Sequence, residues 1–150
     1  MIVYTAILED YDTLLEPRVR EDGIRYVCVT DRAPSETKGW EVLLTERTEA
    51  HPRLQQRSYK ILSHRLFPES EITLYVDGNF ELLVDPRDLA ERYLADSDIA
   101  LFRHPQRDGI FAELEACAVL GKEDPETLAS VAAKYRAEGL PEVGFCLPAD

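Results

Sequence analysis

A chain of 150 residues and 17.1 kDa, 45% apolar and 31% charged, has the composition of a globular protein long enough to bury an ordinary core. Its net charge of −12 excludes the basic surface on which nucleic-acid binding depends, and no apolar run reaches membrane-spanning length. Three cysteines, Cys28, Cys117 and Cys146, stand at spacings that fit no metal or redox pattern, and no charged leader precedes the first apolar segment. Reduced thiols and a cytoplasmic protein are therefore expected.

Val3 to Leu8 and Arg25 to Thr30 read as strands joined by a polar loop, and Trp40 to Leu44 as a shorter third. After Pro52 the period changes. Leu54, Ile61 and Leu62, separated by Gln, Arg and Lys, predict one helix with Pro52 as a favourable first residue. Ile72 to Val76 is unbroken apolar or β-branched sequence, which predicts a strand buried on both faces. It ends on Asp77-Gly78-Asn79, and a second apolar run, Phe80 to Val84, follows. That leaves two readings of the three residues: the turn of a hairpin, or a strand end whose carboxylate meets a ligand or metal.

Asp85-Pro86 starts a helix through Leu94 with Asp85 as its cap, and Ile99 to Phe102 reads as a short strand. Beyond the loop "RHPQRDG", Ile110, Leu114, Cys117 and Ala118 recur at helical spacing. Asp124-Pro125 caps a last helix carrying Leu128, Val131, Ala132 and Tyr135, which Gly139 and Pro141 end. Strands that alternate with helices predict an α/β fold, one domain over residues 1–150 with a mainly parallel sheet. In such sheets ligands bind beyond the carboxyl ends of the strands.

Five clusters are polar where a purely structural chain would not need them: "TAILEDYD" from Thr5 to Asp12, Asp31, the pair Arg57 and Lys60, Asp77-Gly78-Asn79, and "RHPQRDG" with Glu113 and Glu115. Each has a bland alternative. Strand-end aspartates cap turns, and cations on a helix commonly face water. Yet Arg57 and Lys60 are one helical turn apart and can point at one place. Carboxylate and amide oxygens suit a hard divalent cation, and Arg and Lys suit phosphate oxygens, so a metal with a few local cations would let an acidic chain hold a diphosphate. No phosphate loop or dinucleotide fingerprint is present, and no serine or cysteine nucleophile stands in a recognisable setting.

The segments "YTAILEDYDTLLEP", "YVCVTD", "QRSYKILSHRLFPE", "LYVDGNFELLVDP", "IALFRHPQRDGIFAELEA" and "AAKYRAEGLP" resemble, in this order, the glycosyltransferase-like domain of plant mucilage- and turgor-related hexosyltransferase-like proteins and their bacterial relatives. The resemblance runs from about residue 3 to 141, and its most specific parts are the R-x-x-K-I-x-x-H block and the strand ending in D-G-N. It implies a GT-A-like, Rossmann-like three-layer fold in which a D-x-D-like turn holds manganese or magnesium on the diphosphate of a nucleoside diphosphate sugar. By matched position it implies that Thr5, Ala6, Tyr11, Asp12 and Asp31 line the nucleoside pocket and that Arg57 and Lys60 face the diphosphate. Asp77 and Asn79 would hold the metal with His104 as a further ligand, and Glu113, with Asp77, would be catalytic.

Two departures stand out. The second acid of D-x-D is the neutral Asn79, and family members continue past "EGLP" into a segment that completes the acceptor side. The chain is then a minimal form, a truncated relative or one part of a larger system. The expected function is metal-dependent transfer of a hexose to a glycan, protein or small-molecule acceptor. The alternatives are a non-catalytic nucleotide-sugar-binding or partner-binding module of the same fold and a phosphate-handling hydrolase.

Overall fold

Two strands of six residues, β1 (Ile2–Ile7) and β2 (Arg25–Thr30), pair in parallel with Tyr4 opposite Val27, and every residue but Arg25 is buried. Unbroken β-branched and apolar sequence is what a parallel strand covered on both faces requires. The computed structural model describes residues 1–49, 51–102 and 105–142, and it divides into two compact units, Met1–Ile99 and Ala100–Asp150.

In the first unit, β3 (Glu41–Leu44) joins β2 and β4 (Thr73–Tyr75) joins the far side of β1, giving an all-parallel sheet in the order β3-β2-β1-β4. Successive side chains of β1 go to opposite faces. Val3 and Ile7 join Leu14, Ile24, Tyr26, Cys28, Trp40 and Leu82, with Leu89 of α3 (Pro86–Tyr93) packed against them. Ile2, Tyr4 and Ala6 join Val27, Val29 and Phe67, covered by Tyr59 of α1 (Pro52–Ile61) and Leu66 of α2 (Ser63–Leu66). Helix and loop thus cover one face and helices the other, the three-layer α/β arrangement that alternating strands and helices imply.

Three expectations are corrected. Ile72 to Val76 is not buried on both faces: β4 lies at the sheet edge, pairs only with β1, and its residues are half-buried. Phe80 to Val84 forms no return strand. Only Leu82 turns into the core, while Phe80, Leu83 and Val84 are exposed, so the hairpin reading falls. Ile99 to Phe102 is likewise no strand, and Ile99, Leu101 and Phe102 stand largely in solvent.

The helix after Pro52 forms with a different face inward. Leu54 and Ile61 are exposed, and Gln55 is the buried residue, with the chain breaking at Leu62 before α2. Burying Gln55 is tolerated because its amide is satisfied: it donates to Glu46 O at 2.6 Å and to the Tyr59 hydroxyl at 2.8 Å, and accepts from Thr48 N at 3.0 Å. The caps follow the sequence. His51 and Asp85 accept the amide two residues on, Asp124 accepts that of Thr127, and each is followed by proline at the first helical position.

The second unit carries α4 (Ile110–Val119) and α5 (Pro125–Ala137). Phe111 is buried beneath the Arg136 guanidinium, 4.4 Å from the ring centroid, and Arg136 also pairs with Glu142 at 2.6 Å. Among the described residues no helix is long and apolar enough to cross a membrane. Cys28 and Cys117 are free thiols; burial pushes Cys28 up to about 11, which keeps it protonated, and Cys146 lies outside the described residues.

Candidate functional site at the carboxyl edge of the sheet

All four strands of the first unit end at the same edge, and the chain changes direction between β1 and β4: β2 and β3 continue on one side of β1, β4 on the other. In an open parallel sheet this switch point leaves a crevice beyond the strand ends, because the connections depart to opposite faces.

The ends of β1, β2 and β3 are held by charge. Glu9 and Asp10 follow β1 with φ of 55° and 54°, a left-handed conformation that costs residues with a Cβ about 1–3 kcal/mol each. Their surroundings fix it. The Glu9 amide donates to Asp31 Oδ1 at 2.9 Å, Arg47 pairs with Glu9 and lies 3.5 Å from Asp31 Oδ2, and Arg32 pairs with Asp10 at 3.0 Å. The Asp31 side chain is only 7% exposed, so it acts here as a staple between two strand ends. One step further, Arg53 of α1 donates to the Tyr11 hydroxyl at 2.7 Å and stacks 5.0 Å from its ring centroid. Residues 9–11 are therefore fastened by three arginines from separate parts of the chain.

The end of β4 is held by close packing. Phe80 N donates to Asp77 O at 2.9 Å, closing a tight turn around Gly78 and Asn79. Gly78 is buried, and a Cβ there would stand 2.9 Å from Asp12 Cβ and 3.0 Å from two carbons of Ile7. Gly78 is absent from the left-handed residues of the chain, so glycine is required by the approach of β1 and not by a special φ. This contact brings Asp12 against the turn that Asp77 begins.

Above the turn, Lys60 Nζ lies 3.4 Å from Asp77 Oδ1 and 4.6 Å from the Tyr75 ring centroid. Gln56 fastens the ring and β1 together, donating to the Tyr75 hydroxyl at 3.3 Å and to Ala6 O at 2.9 Å. Burial first, and then the Asp77 carboxylate, push the Tyr75 phenol well above its ordinary range, so it stays protonated. Below the turn, Thr5 is 2% exposed and its hydroxyl has no hydrogen-bond partner. It lines a small cavity with Leu14, Trp40, Val76, Asp77 and Gly78. The cavity has room for about one water, which is the partner such a buried hydroxyl calls for.

The fold thus gathers Thr5, Ala6, Tyr11, Asp12, Asp31, Lys60, Asp77 and Asn79 at one edge. Asn79 is exposed at the turn, and Ala6 offers its carbonyl to Gln56. Arg57 is exposed and makes no ion pair among the described residues, so of the two cations it is Lys60 that reaches Asp77. His104 lies outside the described residues. Glu113 belongs to the second unit, where it pairs with Arg107 and lies 3.7 Å from Cys117 Sγ. Among the described residues no three His, Cys, Asp or Glu side chains gather as a metal cluster.

Arg47, Arg53, Gln56 and Tyr75 are site-building residues that sequence reasoning missed. The available signal was charge balance: Glu9, Asp10 and Asp31 crowd one edge, and Arg47 follows β3 as Asp31 follows β2.

The family model of the TOD1/MUCI70 glycosyltransferase-like domain matches residues 31–145. Asp31, Lys60, Asp77, Asn79 and Glu113 fall inside that range, and Thr5 to Asp12 precede it. The chain is 37% identical over 140 residues to the "Probable hexosyltransferase MUCI70" of Arabidopsis thaliana, covering 91% of this chain and 22% of that protein. It is 25% identical over 131 residues to the "Alkaline ceramidase TOD1" of the same plant, covering 70% of this chain and 28% of that one. The chain therefore spans about a quarter of the length of these curated relatives. No solved structure matches.

Proposed function

Because the chain belongs to the TOD1/MUCI70 glycosyltransferase-like family, we propose that it is a hexosyltransferase-type glycosyltransferase whose nucleoside diphosphate sugar binds at the switch point between β1 and β4. The observation that carries this reading is that Gly78 packs against Ile7 and Asp12 while Lys60 of α1 reaches Asp77, so two strand ends and a helix that are distant in sequence meet at one turn.

The proposed roles are those that matched position in the family implies. The exposed Tyr11 ring and the Asp12 carboxylate offer a nucleoside an aromatic surface and a polar group beyond the end of β1. Lys60, a compact charge on a flexible stem, meets the diphosphate. Asp77 and Asn79 offer hard oxygen donors for manganese or magnesium. Such an ion takes one or two carboxylates and completes its shell with phosphate oxygens and water, so a dedicated cluster of acids is not required of the protein. When bound, the ion neutralises charge on the departing diphosphate. Glu113 is the candidate carboxylate for an acceptor proton or for positive charge at the sugar carbon.

Nucleoside diphosphate titrations with and without manganese test the reading. Wild-type binding should depend on manganese and Asp77→Asn should abolish that dependence. Lys60→Ala should weaken nucleotide binding by about 1.5–3 kcal/mol, the range for hydrogen bonds to charged groups. Metal-independent binding, or an Asp77→Asn protein that binds as the parent does, returns the three residues to a plain turn. Manganese-dependent binding without sugar release or transfer selects the non-catalytic module. Release of fatty acid from a ceramide, the reaction for which the 25% identical relative is named, would replace the transferase reading.

A further inference from the structure

Lys60 and Asp77 face each other with 48% and 44% of their side chains exposed, an ion pair open to solvent at the mouth of the crevice. Resting on the donor-site reading above, we infer that Lys60 is the resident counter-ion of Asp77 in the nucleotide-free protein and couples metal binding to nucleotide binding. The ammonium holds the carboxylate until a diphosphate draws it away.

The geometry supplies each part of this device. Asp77 is the only formal charge of the turn, since Gly78 and Asn79 are neutral, so pairing with Lys60 cancels the attraction that a free divalent cation would feel. A cation approaching Oδ1 also meets like charge at 3.4 Å. The ammonium is aimed by the Tyr75 ring, 4.6 Å away, and that ring is fastened through its hydroxyl to Gln56, which also holds β1 at Ala6 O. Nothing fastens Lys60 covalently or by a second carboxylate among the described residues, so its stem is able to swing toward a stronger anion. A nucleoside diphosphate is such an anion. Once its phosphates take Lys60, Asp77 regains its full charge beside a ligand that itself supplies oxygens for the ion. Linkage makes the effect reciprocal: the factor by which nucleotide tightens metal is the factor by which metal tightens nucleotide.

The experiment titrates the full chain with manganese, free ion being counted by electron paramagnetic resonance, alone and with saturating uridine or guanosine diphosphate. The variants are Lys60→Met, which keeps the stem and removes the charge, Asp77→Asn, and Arg65→Met, which removes an exposed cation of α2 as a control for general charge. Lys60→Met should tighten manganese binding to the nucleotide-free protein by about three- to fivefold, the size of an exposed ion pair, and shrink the nucleotide-dependent factor correspondingly. Arg65→Met should move neither by as much. If Lys60→Met binds manganese alone no better than wild type or Arg65→Met, while Asp77→Asn loses manganese in the presence of nucleotide, the counter-ion role fails and the donor site stands. If Asp77→Asn binds manganese with nucleotide as wild type does, the donor site fails and the inference falls with it.

Discussion

The ends of β1 and β4 are neighbours at one sheet edge, both acidic, and they are built on different physics. After β1, Glu9 and Asp10 sit in a left-handed turn whose charges are engaged by Arg47 and Arg32 and whose amide is held by the nearly buried Asp31. After β4, the turn rests on one backbone hydrogen bond and on a glycine pressed against Asp12 and Ile7, and its aspartate faces outward toward a lysine. Glu9, Asp10 and Asp31 are committed to the scaffold, whereas Asp77 meets only an exposed lysine and the Tyr75 phenol. Proximity to a strand end therefore does not by itself make a carboxylate functional; what it is already bonded to decides.

The severest way to break this contrast is Gly78→Val. If the β4 end is held by close approach, the added carbons have no room between Asp12 Cβ and Ile7, and the strand ends must separate. The expected loss is about 3 kcal/mol, the upper range for inserting side-chain atoms into a packed site, read by urea denaturation. Gly78→Ala should lose less but in the same sense. An alanine variant as stable as wild type would mean that the two ends are not in obligatory contact.

A smaller loss tests the other end. Asp31→Ala removes the acceptor of the Glu9 amide and a partner of Arg47, and leaves two left-handed residues without their staple. About 1 kcal/mol should be lost, the net contribution of a typical hydrogen bond, since the Glu9 amide is exposed and water can replace its acceptor. Asp31→Asn keeps an acceptor oxygen and should recover part of it. Equal losses in the two variants would assign the staple to charge alone, and no loss in either would end the distinction between the two strand ends.

The contrast also marks what the sequence could disclose. The central strands were legible because full burial leaves an unbroken apolar run, as in β1 and β2, and the helix starts because His51, Asp85 and Asp124 each precede a proline. The place of β4 was not, since Thr73 to Tyr75 is as apolar as a central strand and only topology puts it at the edge. The inward face of α1 was misread for a related reason. Gln55 and Gln56 look solvated in sequence, yet they turn inward to Glu46 O and Ala6 O, carbonyls at the sheet's carboxyl edge, while Leu54 and Ile61 face out. Ile99 to Phe102 had strand composition and no strand to pair with. Of the site, the acids were visible as strand-end residues. The arginines that separate structural from available acids were not, because Arg47 and Arg32 lie 38 and 22 positions from the acids they hold.

The smallest expected effect is the sharpest for the comparison. Asp77→Asn keeps the backbone bond from Phe80 N to Asp77 O, since that bond uses no side chain, and Asn suits a turn about as well as Asp. What it changes are the ion pair with Lys60, in which both side chains are nearly half exposed and screened by water, and the charge beside the Tyr75 phenol. Such pairs contribute at most about 1 kcal/mol and commonly nothing measurable, so the nucleotide-free variant should denature within about 0.5 kcal/mol of wild type. Asp31→Asn, at the end of β2, should lose more, because its carboxylate is nearly buried and works against both an amide and a guanidinium. Urea denaturation of the two variants side by side measures the difference. If Asp77→Asn is the more destabilised of the two, Asp77 is scaffold like its neighbours, and the acid left available to a ligand must be sought elsewhere, with Asp12 across Gly78 the next to test.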